Sequence, residues 1–503
     1  MRKIFVFIIA LFFSQHSVSQ TVNDVTTFLG SELNGSARFN SMAGAFGALG
    51  GDLSAISHNP AGSSVFLHSE IGGTFTYNQK VAEGAYFGNL TSKEDSNLKF
   101  DQIGAVFVFN NIDPESSWSR ISTGINSHRV SKFDQNARVR GYNDTGVDQY
   151  FLYFADGLAF NNLPLYEDES IPEVYRILGE ENGFGAQQAF LGYQAYIFNP
   201  FSTDENNTEY YSNVEYGQVN HDLDIITKGL HRKTSFNFSA LYKNLLHLGV
   251  NFNAHKLEYY SDQALFESGQ YNESPVYDIE FENSLSSFGQ GVSAQFGAIL
   301  RLKDFRLGLT YDSPQWLTIS DETKQSLSSV IIEQGSIIKE LIQPDITNFY
   351  DSYLFKIPSK TTFSFAYIFG KQGLVSIDYE LQNASKTVLS REGGSSYLDD
   401  LTQSLSTPFG SIQTLKAGGE YRLKDFSLRA GILNRNNIQK NITTLDMAYT
   451  LGIGLDFGSK TLNLSFVNLN QSKQYQMFSE GLTDPYTLSH SITQVSLSYN
   501  IKL

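Results

Sequence analysis

The chain has 503 residues, no cysteine, 36 basic against 52 acidic side chains and a net charge of −16. Without cysteine there can be no disulfide framework, thiolate zinc site, iron–sulfur cluster or thiol nucleophile; the acidic balance is the wrong sign for a nucleic-acid partner. Its 39 Phe and 28 Tyr, beside 41 Gly and only 11 Pro, are the composition of β-structure with tight turns.

Met1-Arg2-Lys3, the apolar run Ile4 to Phe13 and then Ser17-Val18-Ser19 have the charged, hydrophobic and small-residue regions of a secretory signal peptide. Cleavage is expected after Ser19, leaving a net charge of −18 because Arg2 and Lys3 are lost. The apolar run covers only about half a bilayer, too little for an anchor, and no 18-residue apolar stretch follows it. A chain exported in this way either stays soluble or inserts as a β-barrel.

Residues 20–65 do not alternate and are rich in glycine, so they are not a strand. Asp52 is placed to cap a short helix running to Ser57, and Asn59-Pro60 to stop it. The segment is expected to form a compact plug, or hatch. It has neither the glycine spacing nor the Gly-Lys-Ser/Thr of a phosphate-binding loop.

Residues 66–503 are expected to form the barrel. Five hairpins alternate apolar and polar residues on both sides of turns at 243–244, 303–304, 371–373, 424–425 and 458–460. Three earlier strands (about 66 to 78, 99 to 111 and 117 to 133) and a last one (about 491 to 503) bring the total to 14. Short turns alternate with long polar connections, the asymmetry of an outer-membrane barrel, and an even strand number puts both termini in the periplasm. The fold class expected is therefore all-β: a transmembrane antiparallel β-barrel of about 14 strands with a small N-terminal hatch inside it. The final strand ends on Leu503, where many barrels end on Phe or Tyr.

The connection 134–229 holds 16 acids and 4 bases (Arg138, Arg140, Arg176, Lys228), a net of −12, and is expected to be a long acidic extracellular loop. Two apolar patches inside it, Tyr150 to Phe154 and Ala189 to Tyr193, are candidates either for catching a hydrophobic ligand or for packing on the rim. An acidic mouth repels anions at low salt and favours a neutral hydrophobe. There is no Gly-x-Ser-x-Gly and no His-Glu-x-x-His, and the nine histidines are scattered, so the reading is of a protein that is not an enzyme and uses no metal or cofactor.

Gly35-Ser36-Ala37, the Ala-Gly run Met42 to Gly51 and above all Asp52-Leu53-Ser54-Ala55-Ile56-Ser57-His58-Asn59-Pro60-Ala61-Gly62 resemble the hatch of the FadL/TodX outer-membrane transporters, which carries an Asn-Pro-Ala motif. Ile357 to Thr361, Gly419 to Leu423, Leu428 to Gly431 and Tyr449 to Gly454 are similar to barrel segments of that family. The resemblance implies a plugged 14-strand barrel that moves long-chain fatty acids or other hydrophobic molecules inward without an energy source. Capture by outer loops, transfer to an apolar pocket, a shift of the hatch and lateral exit beside a kinked third strand are the implied steps.

By that resemblance Asn59, Pro60 and Ala61 hold the hatch turn. Met42, Phe46, Leu49 and Ile56 are candidates for the ligand pocket, Gly124 for the strand kink, and Arg38 and Arg129 for partners of a cargo carboxylate, whose burial needs a counter-charge. The expected partners are a hydrophobic small molecule and outer-membrane lipid, for a barrel working as a monomer. The alternative is a non-transporting barrel of the same fold that serves as a secretion or assembly partner.

Overall fold

The structure is a computed structural model that describes residues 21–503 apart from 31, 114, 216, 270–273 and 334. The signal peptide expected over 1–19 lies outside the described residues. Among the described residues no helix is long and apolar enough to cross a membrane. The strands do so instead.

Fourteen antiparallel strands close into one barrel. In chain order they are β1 (Glu70–Tyr86), β2 (Asn89–Asn110), β3 (Trp118–Lys132, continued by Gln135–Asn143), β4 (Val219–Tyr242), β5 (Leu246–Ser268), β6 (Val276–Leu302) and β7 (Phe305–Asp312, continued by Gln315–Glu333). Then follow β8 (Tyr353–Ile357, continued by Lys360–Phe369), β9 (Gly373–Asn383), β10 (Ser411–Leu423), β11 (Phe426–Arg435), β12 (Asp446–Asp456), β13 (Lys460–Gln476) and β14 (Pro485–Lys502). Pro314 and Pro358 interrupt β7 and β8, where a missing N–H cannot join the ladder. The last strand closes on the first from Glu70↔Lys502 to Ala85↔Thr487, which leaves no free edge at the join.

Closure follows from the alternation. Phe236 and Phe238 on β4, Leu307 and Leu309 on β7, and Leu451 and Ile453 on β12 face outward and stay exposed, while their polar neighbours point into the lumen. In hydrocarbon every strand N–H and C=O must be paired, and a closed ladder does this. The turns on one side are short. Lys243 and Asn244 both have positive φ (47° and 54°), the conformation of a two-residue hairpin turn that keeps the strand twist.

The first hairpin is longer than the sequence suggests. Residues 79–98 look like a connection because charges such as Glu83, Lys93, Glu94 and Asp95 break the apolar alternation, yet β1 and β2 remain paired up to Tyr86↔Asn89. A sheet with water on its outer face needs no apolar outward set.

Residues 21–66 occupy the lumen as three short helices, α1 (Val22–Phe28), α2 (Ala37–Ser41) and α3 (Leu53–His58), and one 3-10 helix (Pro60–Val65). Asp52 caps α3 by accepting the Ser54 N–H at 2.8 Å. Between the two parts of the segment 134–229 that extend β3 and β4, three helices, α4 (Asp148–Ala155), α5 (Ile171–Glu181) and α6 (Phe184–Gln194), fold into a cap over the opposite end. A seventh helix, α7 (Ser396–Ser404), lies in the β9–β10 connection.

Candidate functional site: the barrel lumen

The hatch meets the wall through polar groups and bare backbone. Asp378 on β9 accepts the backbone N–H of Phe46 (3.0 Å) and Gly47 (2.9 Å) and lies 2.8 Å from His58 Nε2. Asn251 donates to Ile56 O, Asn237 to Pro60 O, Gln295 to His58 O and Arg306 to Leu49 O. Opposite these, wall glycines take the place of side chains. A Cβ at Gly249, Gly297, Gly308, Gly418, Gly431 or Gly452 would overlap Pro60, Asn59, Gly47, Met42, Met42 or Ser41 in turn. Glycine in a strand interior commonly marks such a close approach of another backbone.

The Asn-Pro-Ala turn fits into this frame. Asn59 Oδ1 accepts the Ala61 N–H at 3.1 Å, and its Nδ2 donates to Gly47 O at 2.6 Å and to Ala298 O at 3.3 Å. One side chain thus caps the 3-10 helix, closes the hatch on itself and ties it to β6. Pro60 opens that helix at a position where no N–H is needed.

The four pocket candidates are fully buried, but in packing. Met42, Phe46 and Leu49 form the hatch core with Leu33 and Phe39, and Ile56 packs with Leu53, Phe66 and Val106. None of the four lines the chamber described below. Arg38 is bound to Glu420 (Nε–Oε2 2.8 Å), donates to Gly51 O and sits over the Phe46 ring. Burial alone would lower the guanidinium pKa, but the charge and hydrogen bond of Glu420 outweigh it and hold the pKa above the usual arginine value. Glu420 also accepts from Arg422 and Arg429, so Arg38 helps dock the hatch to the wall, and it does not line the chamber described below.

The cavity between the α1 leg, the rest of the hatch and the wall is polar. It has a volume of about 210 Å³ and is lined by Phe28, Leu33, Phe39, His58, His128 and Arg129 from the hatch and β3, and by Lys233, Lys360, Glu380, Lys416, Arg435 and Lys473 from the rest of the wall, among others. Six Lys and Arg face it against four acids, Glu32, Asp312, Glu380 and Asp446. An apolar pocket was the expectation; instead, a basic chamber stands inside an acidic protein. Phe28, at the end of α1, roofs it. Its ring lies 5.4 to 5.9 Å from Phe133, Tyr259 and Phe355, all edge-on.

Above Phe28 the lumen is filled by the cap. Phe151, Phe190 and Phe198 are completely buried against Leu223, Phe281 and Leu327 of the wall. The two apolar patches of the sequence are therefore core, since helix α4 turns Tyr150 and Phe151 inward and leaves Tyr153 exposed, and α6 buries Phe190 and Leu191. Neither is an open surface for catching ligand.

The third strand is irregular, though not at Gly124. That residue pairs with Val106 on one side and Asn237 on the other, and its bare inner face receives Ile56. The strand's register shifts lie between Trp118 and Arg120 and, beside the chamber, between Arg129 and Ser131. Pairing between β2 and β3 runs only from Asn110↔Arg120 to Gln102↔His128. Past that point β2 continues with β1 alone and β3 with β4 alone, so the backbone ladder around the barrel is open on one side of the chamber. The hatch touches this break, because Ser131 Oγ donates to Gly30 O (2.5 Å) and Asn34 Nδ2 to Val130 O (3.3 Å).

Parity along a strand could have located the chamber in the sequence. Lys416 alternates with the outward Leu415 and Ala417, as Lys233 does with Arg232 and Thr234, and a charge at the inward parity of a membrane strand belongs to the lumen.

No protein-family model matches the sequence, and no curated protein matches it. Solved structures do. A crystal structure of a FadL homologue from Pseudomonas aeruginosa matches with a TM-score of 0.55 at 12% identity, over 94% of this chain and 99% of that one. A crystal structure of the toluene transporter TodX from Pseudomonas putida matches with a TM-score of 0.50 at 12% identity, over 94% of this chain and all of that one. Identity this low speaks to architecture alone, and the architecture agrees over the matched 94% of the chain: the chain has the fold of the FadL and TodX proteins, a closed 14-strand transmembrane barrel plugged by an N-terminal hatch.

Proposed function

We propose that the protein is an outer-membrane channel for passive uptake of hydrophobic molecules, with termini in the periplasm, residues 1–19 removed as a signal peptide, 20–65 acting as hatch and 66–503 as barrel. One observation carries the reading: a polar chamber beneath the α1 leg of the hatch, beside the stretch where β2 and β3 lose their backbone pairing. The shared fold with a protein titled a toluene transporter supports it.

The chamber also bears on the cargo. A wholly apolar molecule gains nothing from a chamber with two more cations than acids, some of them paired as Lys416 is with Glu380 and Arg435 with Asp446, whereas a carboxylate headgroup is stabilised by that excess. Long-chain fatty acids are therefore favoured over neutral hydrophobic compounds. The acidic exterior works against anions only at low ionic strength, because charges are screened over about 8 Å in physiological salt. At about 210 Å³ the chamber is smaller than the ~300–1,000 Å³ usual for a drug-sized ligand, so this is a closed conformation that takes a headgroup and part of a chain.

The steps are capture at the outer face, passage by Phe28 into the chamber, and lateral exit at the β2–β3 break. The hatch rearrangement involves its leading leg, residues 21–34, which roofs the chamber and holds the break; residues 35–66 stay docked. Arg129, on the chamber wall, is the headgroup partner.

The competing reading, a non-transporting barrel serving as a secretion or assembly partner, draws on the packed aromatic core of the cap, which seals the mouth. Uptake of labelled oleate and of a labelled alkane, in cells with and without the protein, separates the two. The channel reading expects protein-dependent oleate uptake that Arg129→Gln reduces several-fold. Equal uptake with and without the protein for both cargoes, together with stable association with a secreted protein, would establish the other.

A further inference from the structure

Side chains span the break that the backbone leaves open. Asp101 is the first residue of β2 past the last rung, Gln102↔His128. Its carboxylate is almost completely buried, with Lys132 Nζ 2.8 Å from Oδ2 and Arg129 Nε 3.6 Å from Oδ1. Next to it, the Phe100 carbonyl has no rung partner on β3 and instead accepts from Arg129 Nη2 (3.2 Å) and Arg232 Nη2 (3.4 Å). Further along the same seam Lys99 pairs with Asp134 (3.3 Å).

A free strand edge at membrane depth needs its polar groups satisfied. Here guanidinium and ammonium groups satisfy them, and such bonds differ from a ladder in one respect: an ion pair can exchange one anion for another. Arg129 and Lys132 left buried with no counter-charge would be strongly disfavoured, but a second carboxylate arriving at the same cations removes most of that penalty. Arg129 and His128 line the chamber, so a headgroup held there reaches the inner side of the latch.

We infer that Asp101 latches a lateral gate: its carboxylate holds β2 to Arg129 and Lys132 of β3, and the anionic headgroup of a chamber-bound amphiphile competes for those cations and lets the seam part. This rests on the uptake reading above and adds a release mechanism that depends on the charge of the cargo. A neutral hydrophobe has no means of exchanging with Asp101.

The chain has no cysteine, so a seam lock can be built cleanly. Cells carry the full-length protein with Lys99→Cys and Asp134→Cys, treated with a short bis-methanethiosulfonate crosslinker that dithiothreitol cleaves. Labelled oleate uptake is expected to fall at least tenfold on crosslinking and to recover on reduction in the same cells; equal rates before and after reduction would overturn the gate. If the reduced variant takes up no more oleate than cells lacking the protein, the uptake reading fails and the gate with it.

Asp101→Asn keeps the shape of the side chain and removes the exchangeable charge. The ratio of labelled hexadecane to oleate uptake should rise at least threefold, because the neutral cargo no longer meets a closed latch. A static structural pair would lower both cargoes alike and leave the ratio unchanged, which would contradict the exchange.

Discussion

Residues 35–66 close one end of the lumen with backbone that wall side chains hold by directed hydrogen bonds, whereas residues 144–218 close the other with helices that meet the wall through an aromatic core. Hydrogen bonds to fixed wall residues specify a single position, and each one lost leaves a buried polar group unpaired. Apolar packing is not directional and tolerates repacking. The hatch is thus held in one position by directed bonds, and the cap, which also uses a few polar ties such as Ser329 to Ala195 O, is held mainly by apolar packing. The α1 leg lies between them and shares features of both: Phe28 sits in an aromatic cluster, while Asn23 and Gln476 exchange side-chain-to-backbone bonds.

Phe190→Ala should give the largest effect, about 3–5 kcal/mol of lost packing, confined to the cap. Chymotrypsin should then cut within 144–218 while the remainder keeps the gel mobility of a folded barrel. Loss of the whole barrel would mean that cap and wall form one cooperative unit. Asp378→Ala attacks the opposite plug by orphaning the Phe46 and Gly47 N–H groups and His58, at about 3 kcal/mol. The barrel should stay folded and become conductive in a planar bilayer as the hatch loosens; an unchanged, non-conducting barrel would show that the hydrogen bonds do not hold the hatch.

Two adjacent glycines sharpen the same contrast. Gly418 faces inward against Met42, and alanine there should cost about 1–3 kcal/mol through overpacking. Gly419 faces outward with only ordinary contacts at 3.6 and 3.8 Å, and alanine there should stay within about 0.5 kcal/mol. Urea midpoints read by gel mobility test both; equal shifts would refute the close approach of hatch and wall.

The smallest effect is a pH dependence at α1. Burial pushes the Asp24 carboxyl up to about 7, against hydrogen bonds from Thr21 that favour the charged form. A carboxyl raised in the folded state favours docking at low pH, so the contribution is complete below about 4 and is lost as pH rises through about 7. Hydrogen exchange of residues 22–28 should quicken over that interval, and Asp24→Asn should flatten the profile.

The strands are legible where lipid dictates alternation, and the alternation of β1 and β2 fades where water replaces lipid although their pairing runs on to Tyr86↔Asn89. Asp52 and Asn59 announced their caps because capping is local. The ligand side of the lumen was harder to read. Met42 and Phe46 look like pocket residues in a glycine-rich plug, but only the wall glycines opposite, far away in sequence, show that they are its core. Tyr150 to Phe154 look like an exposed patch until α4 gives them an inner and an outer face. Gly124 is the residue type that permits a bend, yet the irregularity beside the chamber falls at Val130, just past the point where β3 loses its pairing with β2.

Diffraction from crystals soaked with a bromine-labelled long-chain fatty acid tests the account most directly. The account predicts anomalous bromine signal within the lumen and a carboxylate in contact with Arg129 inside the chamber. Fatty acid bound only on the lipid-facing wall, with the chamber empty, would contradict it.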